Sequence, residues 1–195
     1  SQMAHAGLID IIKPEGAQDR VFTFADLAPL KVLEAGPELA AFRQSPYPAL
    51  AHGKLRFVGQ PVAMCVAASR GAAEDLADQV LVEAEELDAV VDAVAALRPG
   101  APLLFDTWPD NAFIHADVNE GDIASLAQAP VQIRRQFKMN RQATVSLEGR
   151  GVLAYWDHRL DELVVYLSTQ GPHVMRLGLA EALGLTEHKL RVVAP

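Results

Sequence analysis

The chain has 195 residues, half of them hydrophobic, with 17 lysine and arginine residues against 25 aspartate and glutamate residues and a formal charge of −8. That is apolar surface enough for about one or two folded domains and too much for a disordered chain. An acidic balance without any basic cluster argues against a nucleic-acid or anionic-membrane partner. Cys65 is the only cysteine, so a disulfide framework is excluded and the chain cannot supply the thiolates of an ordinary iron–sulfur cluster. Between Val62 and Ala67 that cysteine reads as a small hydrophobe on a strand. No apolar run approaches the ~20 residues of a membrane span. The opening Ser1-Gln2-Met3-Ala4-His5-Ala6 has no basic stretch followed by an apolar core, so no signal peptide is expected and the expected location is cytoplasmic.

In chain order, residues 8–12 have the composition of a short strand, ended by the turn residues Lys13-Pro14-Glu15-Gly16. Residues 23–27 open a short helix before Pro29. Prolines 37, 46 and 48 predict an irregular connection over 36–48. Residues 54–58 and 62–67 read as strands, with Gly59-Gln60-Pro61 bending the chain between them. Ser69 is placed to cap a helix whose apolar face is Ala73, Leu76, Ala77 and Val80. A strand over 82–87 follows, and its acidic run Glu83, Glu85, Glu86 and Asp88 reads as a solvated face rather than a metal site. Arg98-Pro99-Gly100-Ala101-Pro102 is the clearest boundary, and a linker is predicted over 98–127. Beyond it Val131, Ile133, Arg135 and Phe137 alternate in the manner of a strand over 131–139. Residues 151–156 and 162–167 form two further strands, joined by a hairpin through 157–161.

The last third carries the most chemistry. Pro172 suits the first turn of a helix, Met175, Leu179, Ala182 and Leu183 recur at helical spacing, and Gly184 is placed to end it. A strand over 188–194 completes a strand, helix, strand crossover, which usually joins parallel strands. Gln170 then sits at the carboxyl end of a strand just before a helix, where α/β folds place ligand-contacting groups. Its amide offers two donors and an acceptor without charge; the plainer alternative is a polar strand end facing water. Gly171 could expose backbone N–H to an anion such as a phosphate, or act as an ordinary cap. Pro172 has no N–H to give. Glu148 and Arg150 flank Gly149, close enough to form a buried polar network near the domain junction. The histidines (5, 52, 115, 158, 173 and 188) show no metal-ligand spacing and read as structural or surface residues, with His173 nearest to Gln170. Dinucleotide-binding, phosphate-loop, serine-hydrolase and thiol-enzyme motifs are all missing.

Three segments carry a resemblance: Leu147-Glu148-Gly149-Arg150-Gly151-Val152-Leu153-Ala154, then Ser168-Thr169-Gln170-Gly171-Pro172-His173, then Arg191-Val192-Val193-Ala194-Pro195. Together they resemble the molybdenum-binding large subunit of the xanthine dehydrogenase, aldehyde oxidase and aerobic carbon monoxide dehydrogenase superfamily. The earlier Phe57-Val58-Gly59-Gln60-Pro61-Val62-Ala63 resembles the α/β hammerhead domain that opens the same subunit. The resemblance spans nearly the whole chain and is weakest between Pro29 and Ala51. It implies an α+β fold, with a hammerhead domain over 1–97, the linker over 98–127, and the truncated start of a mixed α/β molybdopterin-binding domain over 128–195.

The activity implied is oxidation or hydroxylation of an aldehyde, purine, N-heterocycle or carbon monoxide, with water as the oxygen source. The cofactor implied is molybdenum-molybdopterin in its cytosine dinucleotide form. Gln170 and Gly171 would be its contacts here, Gln170 approaching the metal's oxygen ligand. Electrons would leave through iron–sulfur and FAD subunits or domains of an oligomeric parent. The family's glycine-rich loop, substrate loops and catalytic glutamate would follow Pro195. The 195-residue chain is therefore expected to be inactive, with no complete catalytic set, no direct metal ligand and no bound cofactor. The alternative is a non-catalytic hammerhead module that serves subunit contact or cofactor burial.

Overall fold

The computed structural model describes residues 6–28, 30–35, 42–118, 120–140, 145 and 147–195. Its regular elements are β1 (Ala6–Ile12), β2 (Val21–Phe22), β3 (Leu33–Ala35), β4 (Ser45–Tyr47), β5 (Lys54–Leu55), β6 (Met64–Cys65), α1 (Arg70–Ala77), β7 (Leu81–Glu86), β8 (Val152–Asp157), β9 (Glu162–Leu167), α2 (Pro172–Leu183) and β10 (Leu190–Val193). Short 3₁₀ turns occur at Phe24–Leu27, Ala95–Leu97, Ile123–Gln128 and Glu187–Lys189. The fold is thus a mixture of strands and helices.

β1 is the centre of an antiparallel sheet in the order β5–β1–β7. The outer strand β7 is exposed along its length, and its three glutamates place charge on a free edge, which discourages further pairing. β2 pairs antiparallel with β6, and α1 packs beside them. Ser69 caps α1 as the sequence predicts, its hydroxyl accepting the Ala72 N–H at 3.3 Å. Leu76 points inward to Ala17 and Val21, and Ala63, Cys65 and Val80 pack around them. Cys65 is half-buried there as a small apolar side chain.

The carboxyl-terminal sheet has the order β10–β9–β8, with β8 antiparallel and β10 parallel to β9. α2 lies on one face, where Val165, Ala180 and Leu190 form a second core with Leu163, Leu167, Leu179 and Val192. Gly184 ends α2 at φ 65°, a left-handed conformation suited to glycine. The Leu185 N–H closes back on the Ala180 carbonyl at 2.9 Å. Another orphan carbonyl of that helix end, at Ala182, accepts the Lys31 N–H at 3.0 Å, so the first half of the chain helps to cap α2.

Four expectations change. A strand, β4, forms within the connection expected to be irregular, pairing with β3 so that Pro46 lies opposite Glu34. A two-stranded ribbon has a free edge on each strand, so the missing N–H of Pro46 breaks no ladder. Residues 36–41 of that connection lie outside the described residues. The strands expected over 54–58 and 62–67 contract to two residues each. Between them the chain turns at Gly59, and the Gln60 side chain accepts the Arg56 N–H at 2.8 Å. Residues 131–139 form no strand, because alternation gives a ladder only where a neighbour and an apolar surface are supplied. Val131, Ile133, Phe137 and Met139 are all exposed. Finally, β10 begins at Leu190 because the preceding residues wind into the 3₁₀ turn.

The segment after Pro102 is held to residues 42–57 by polar contacts. Arg43 donates its backbone N–H to the Phe113 carbonyl at 2.7 Å and its guanidinium to the Asp110 carboxylate and the Ala112 carbonyl. Lys54 pairs with Asp106 at 2.6 Å, and Arg56 donates to the Leu104 carbonyl at 2.9 Å.

Candidate functional site at the start of the second helix

β9 delivers the chain to Ser168 and Thr169, and α2 begins at Pro172, whose fixed φ suits a first helical position. Gln170 and Gly171 occupy the corner between them. Gln170 is exposed, and its amide makes no hydrogen bond with any described residue. Gly171 is half-buried and its carbonyl accepts the Met175 N–H at 3.0 Å, the first bond of the helix. Its own N–H is engaged, donating to Thr169 Oγ1 at 3.1 Å. The N–H groups left open at this helix end are those of His173 and Val174, which bond to no described residue. These were not singled out from the sequence, although the position of Pro172 at N1 points to the two residues after it as the donors.

The corner therefore combines a neutral amide with two backbone donors at the positive end of a helix, an arrangement that suits an oxygen-rich anion. Gly171 adds room: a Cβ placed there would touch Val174 at 3.7 Å on one side and meet little else. Its φ of −131° is open to any residue, so its value at the corner lies in the missing side chain.

His173 turns to a neighbouring groove of about 480 Å³ along α2 and β10, which it shares with Arg176, Glu187, His188, Arg191 and Glu162. Arg176 and Glu187 are paired there at 3.0 Å. Gln170 is not among the residues lining this groove. Glu148 and Arg150 are both exposed rather than buried as expected, and Leu147 beside them is fully exposed, so any polar contact they make lies at the surface. Among the described residues no group of His, Cys, Asp and Glu could hold a metal ion. Nor does any helix of the described residues have the length and apolar character to cross a membrane.

The family model for the molybdopterin cofactor-binding domain matches residues 104–195, the part that holds this corner. The large chain of carbon monoxide dehydrogenase from Hydrogenophaga pseudoflava is 33% identical over 189 residues, 90% of this chain and 23% of that protein. The chain belongs to the xanthine dehydrogenase superfamily of molybdenum-binding subunits. The nicotine 6-hydroxylase large subunit of Paenarthrobacter nicotinovorans, a further relative, is 35% identical over 149 residues, 76% of this chain and 18% of that protein. Among solved members of the superfamily, quinoline 2-oxidoreductase from Pseudomonas putida 86 superposes with a TM-score of 0.88 at 31% identity, over all of this chain and 25% of that one. A Cu,Mo carbon monoxide dehydrogenase superposes at 0.79 and 29%, again over the whole chain and 26% of the other. The chain spans about a fifth of the length of the curated relatives it matches.

Proposed function

We propose that the chain serves as part of the large subunit of a molybdenum-cofactor oxidoreductase, one that oxidises or hydroxylates an aldehyde, purine, N-heterocycle or carbon monoxide with water as the oxygen source. On this reading residues 1–97 act as the hammerhead domain and residues 128–195 open the cofactor domain, in a cytoplasmic complex with iron–sulfur and FAD partners. The observation that carries the reading is the Gln170 amide, exposed and uncommitted at the carboxyl end of β9 beside two open helix N–H groups.

These residues fit the implied cofactor. A molybdopterin group, in its cytosine dinucleotide form, is rich in anionic oxygen and would supply the two-electron chemistry when bound. Gln170 would donate a hydrogen bond to one of its oxygens without adding charge, the N–H groups of His173 and Val174 would donate to others, and the bare Gly171 backbone would allow close approach. None of these groups can move a proton or act as a nucleophile near neutral pH, so their share is binding and orientation.

The test is Gln170→Ala in the full-length enzyme that contains this chain, with turnover expressed per bound molybdenum. If the amide stabilises charge that changes during reaction, its loss should cost about a hundredfold in rate, comparable with losing one oxyanion-hole donor. Stability should stay within ~0.5 kcal/mol, as for other exposed substitutions. Unchanged turnover per molybdenum would remove Gln170 from the site.

A further inference from the structure

A second site lies away from Gln170, in a cavity of about 360 Å³ lined by Phe42, Ser45, Phe105, Trp108, Asn111 and Phe113. Its walls are pinned. The Asn111 side chain accepts the Leu104 N–H at 3.0 Å and donates to the carbonyls of Ala96 and Pro102 at 3.0 and 2.9 Å, so its polar atoms are spent on holding the loop. Arg43, fixed by Asp110 and the Ala112 carbonyl, holds the backbone at Phe113 to the strand side. The Ser45 hydroxyl makes no hydrogen bond to a described residue, and it is the polar group left for an occupant.

The aromatic walls define the electronic character of that occupant. The Arg56 guanidinium covers Phe105 at 4.6 Å, Phe105 stacks on Trp108 at 4.4 Å, and Arg43 lies over Trp108 at 6.0 Å. Neither arginine lines the cavity. Arg56 and Trp108 thus both lie against the Phe105 ring within 4.6 Å of its centroid, which leaves the ring edge as the part open to an occupant. Ring edges carry partial positive charge and ring faces partial negative charge, and the Arg56 guanidinium reinforces the positive side, whereas that of Arg43 is offset by Asp110. Phe42 and Phe113, which also line the cavity, meet edge to face at 5.7 Å. Such a cavity attracts the face of an electron-rich ring and repels a cation.

We propose that this cavity binds a small, uncharged, electron-rich aromatic ring bearing one hydrogen-bonding group that reaches Ser45. The chain has two tryptophans, Trp108 in the cavity wall and Trp156 on β8, so one ¹⁵N-labelled sample carries both reporter and control. Titrated with phenol, the Trp108 indole resonance should shift saturably in the millimolar range while that of Trp156 stays in place. Benzyltrimethylammonium should bind about tenfold more weakly, since its charge opposes the ring edges. Phe113→Ala should weaken phenol by about tenfold through the lost wall. Leu104→Phe, which adds bulk at another lining position, should do the same should Phe113→Ala not fold. Absence of a shift, parallel shifts of both indoles, or tighter binding of the cation than of phenol would each overturn the assignment.

Discussion

Asp26 gathers three hydrogen bonds on one carboxylate oxygen, from Lys13 Nζ at 2.8 Å, the Thr23 N–H at 2.7 Å and Thr23 Oγ1 at 2.9 Å. The lysine contact is the largest influence, with the two from Thr23 next, and together they hold this carboxyl at about 2 against an ordinary 3.8. A depressed carboxyl contributes stability that is complete above its unfolded value and disappears as pH falls through the folded one. Asp26→Asn should therefore lower the thermal midpoint at neutral pH, and the gap between variant and parent should close as pH drops from 3.8 to about 2. Melting curves across that range decide it, and a gap that is constant down to about 2 would assign the loss to packing instead. At the candidate site no side chain titrates between Gln170 and Pro172, so the cofactor contact proposed for that corner should be insensitive to moderate pH.

Elements in this chain depend on packing more than on surface charge. α1 has a well-placed cap and an Arg70–Glu74 ion pair at 2.7 Å, but both ends of that pair are highly exposed, and such pairs contribute little. Leu76, 7% exposed, is what joins the helix to Ala17 and Val21. Leu76→Ala should cost about 3 kcal/mol, Ser69→Ala about 0.5–1 kcal/mol, and Arg70→Ala should be near neutral, as read by denaturant unfolding. Residues 131–139 show the converse case. Their alternation is legible, yet with no ladder partner among the described residues the segment forms no regular element and stays exposed. Trypsin should cut first at Arg134, Arg135 or Lys138, ahead of Arg43 and Arg56, whose side chains are tied into the fold. Early cleavage at Arg43 or Arg56 would contradict that order.

The same contrast explains what the sequence discloses. β9, α1 and α2 were readable because each carries its own cap, turn residue or apolar face within a short window. β3, β4 and the short β2–β6 pair depend on partners distant in sequence, and Pro46 even argued against its strand. Gln170 is placed by the sequence at a strand end before a helix, but the bond from the Gly171 N–H to Thr169, which leaves the N–H groups of His173 and Val174 as the open ones, depends on the fold of the corner.

At the scale of the molecule, the question is how much of a cofactor site the chain can form alone. The Gln170 corner offers one amide, two open N–H groups and a bare glycine, all at one helix end and all exposed to solvent or half-buried. Binding a large anionic group through so few contacts must offset the loss of its translational and rotational freedom, a cost on the order of 4–15 kcal/mol. A net hydrogen bond returns only about 0.5–1.5 kcal/mol, or about 1.5–3 where one partner is charged, so the corner by itself falls short of tight binding. The chain also spans about a fifth of its curated relatives, leaving most of any enclosing wall to other residues. Purified as 195 residues, the protein should carry molybdenum far below one equivalent by metal analysis, even when expressed in cells that make the cofactor. The full-length parent prepared in parallel should carry close to one. Stoichiometric molybdenum in the short chain would mean that its own residues enclose the cofactor, and would shift the search for further contacts to the groove between α2 and β10.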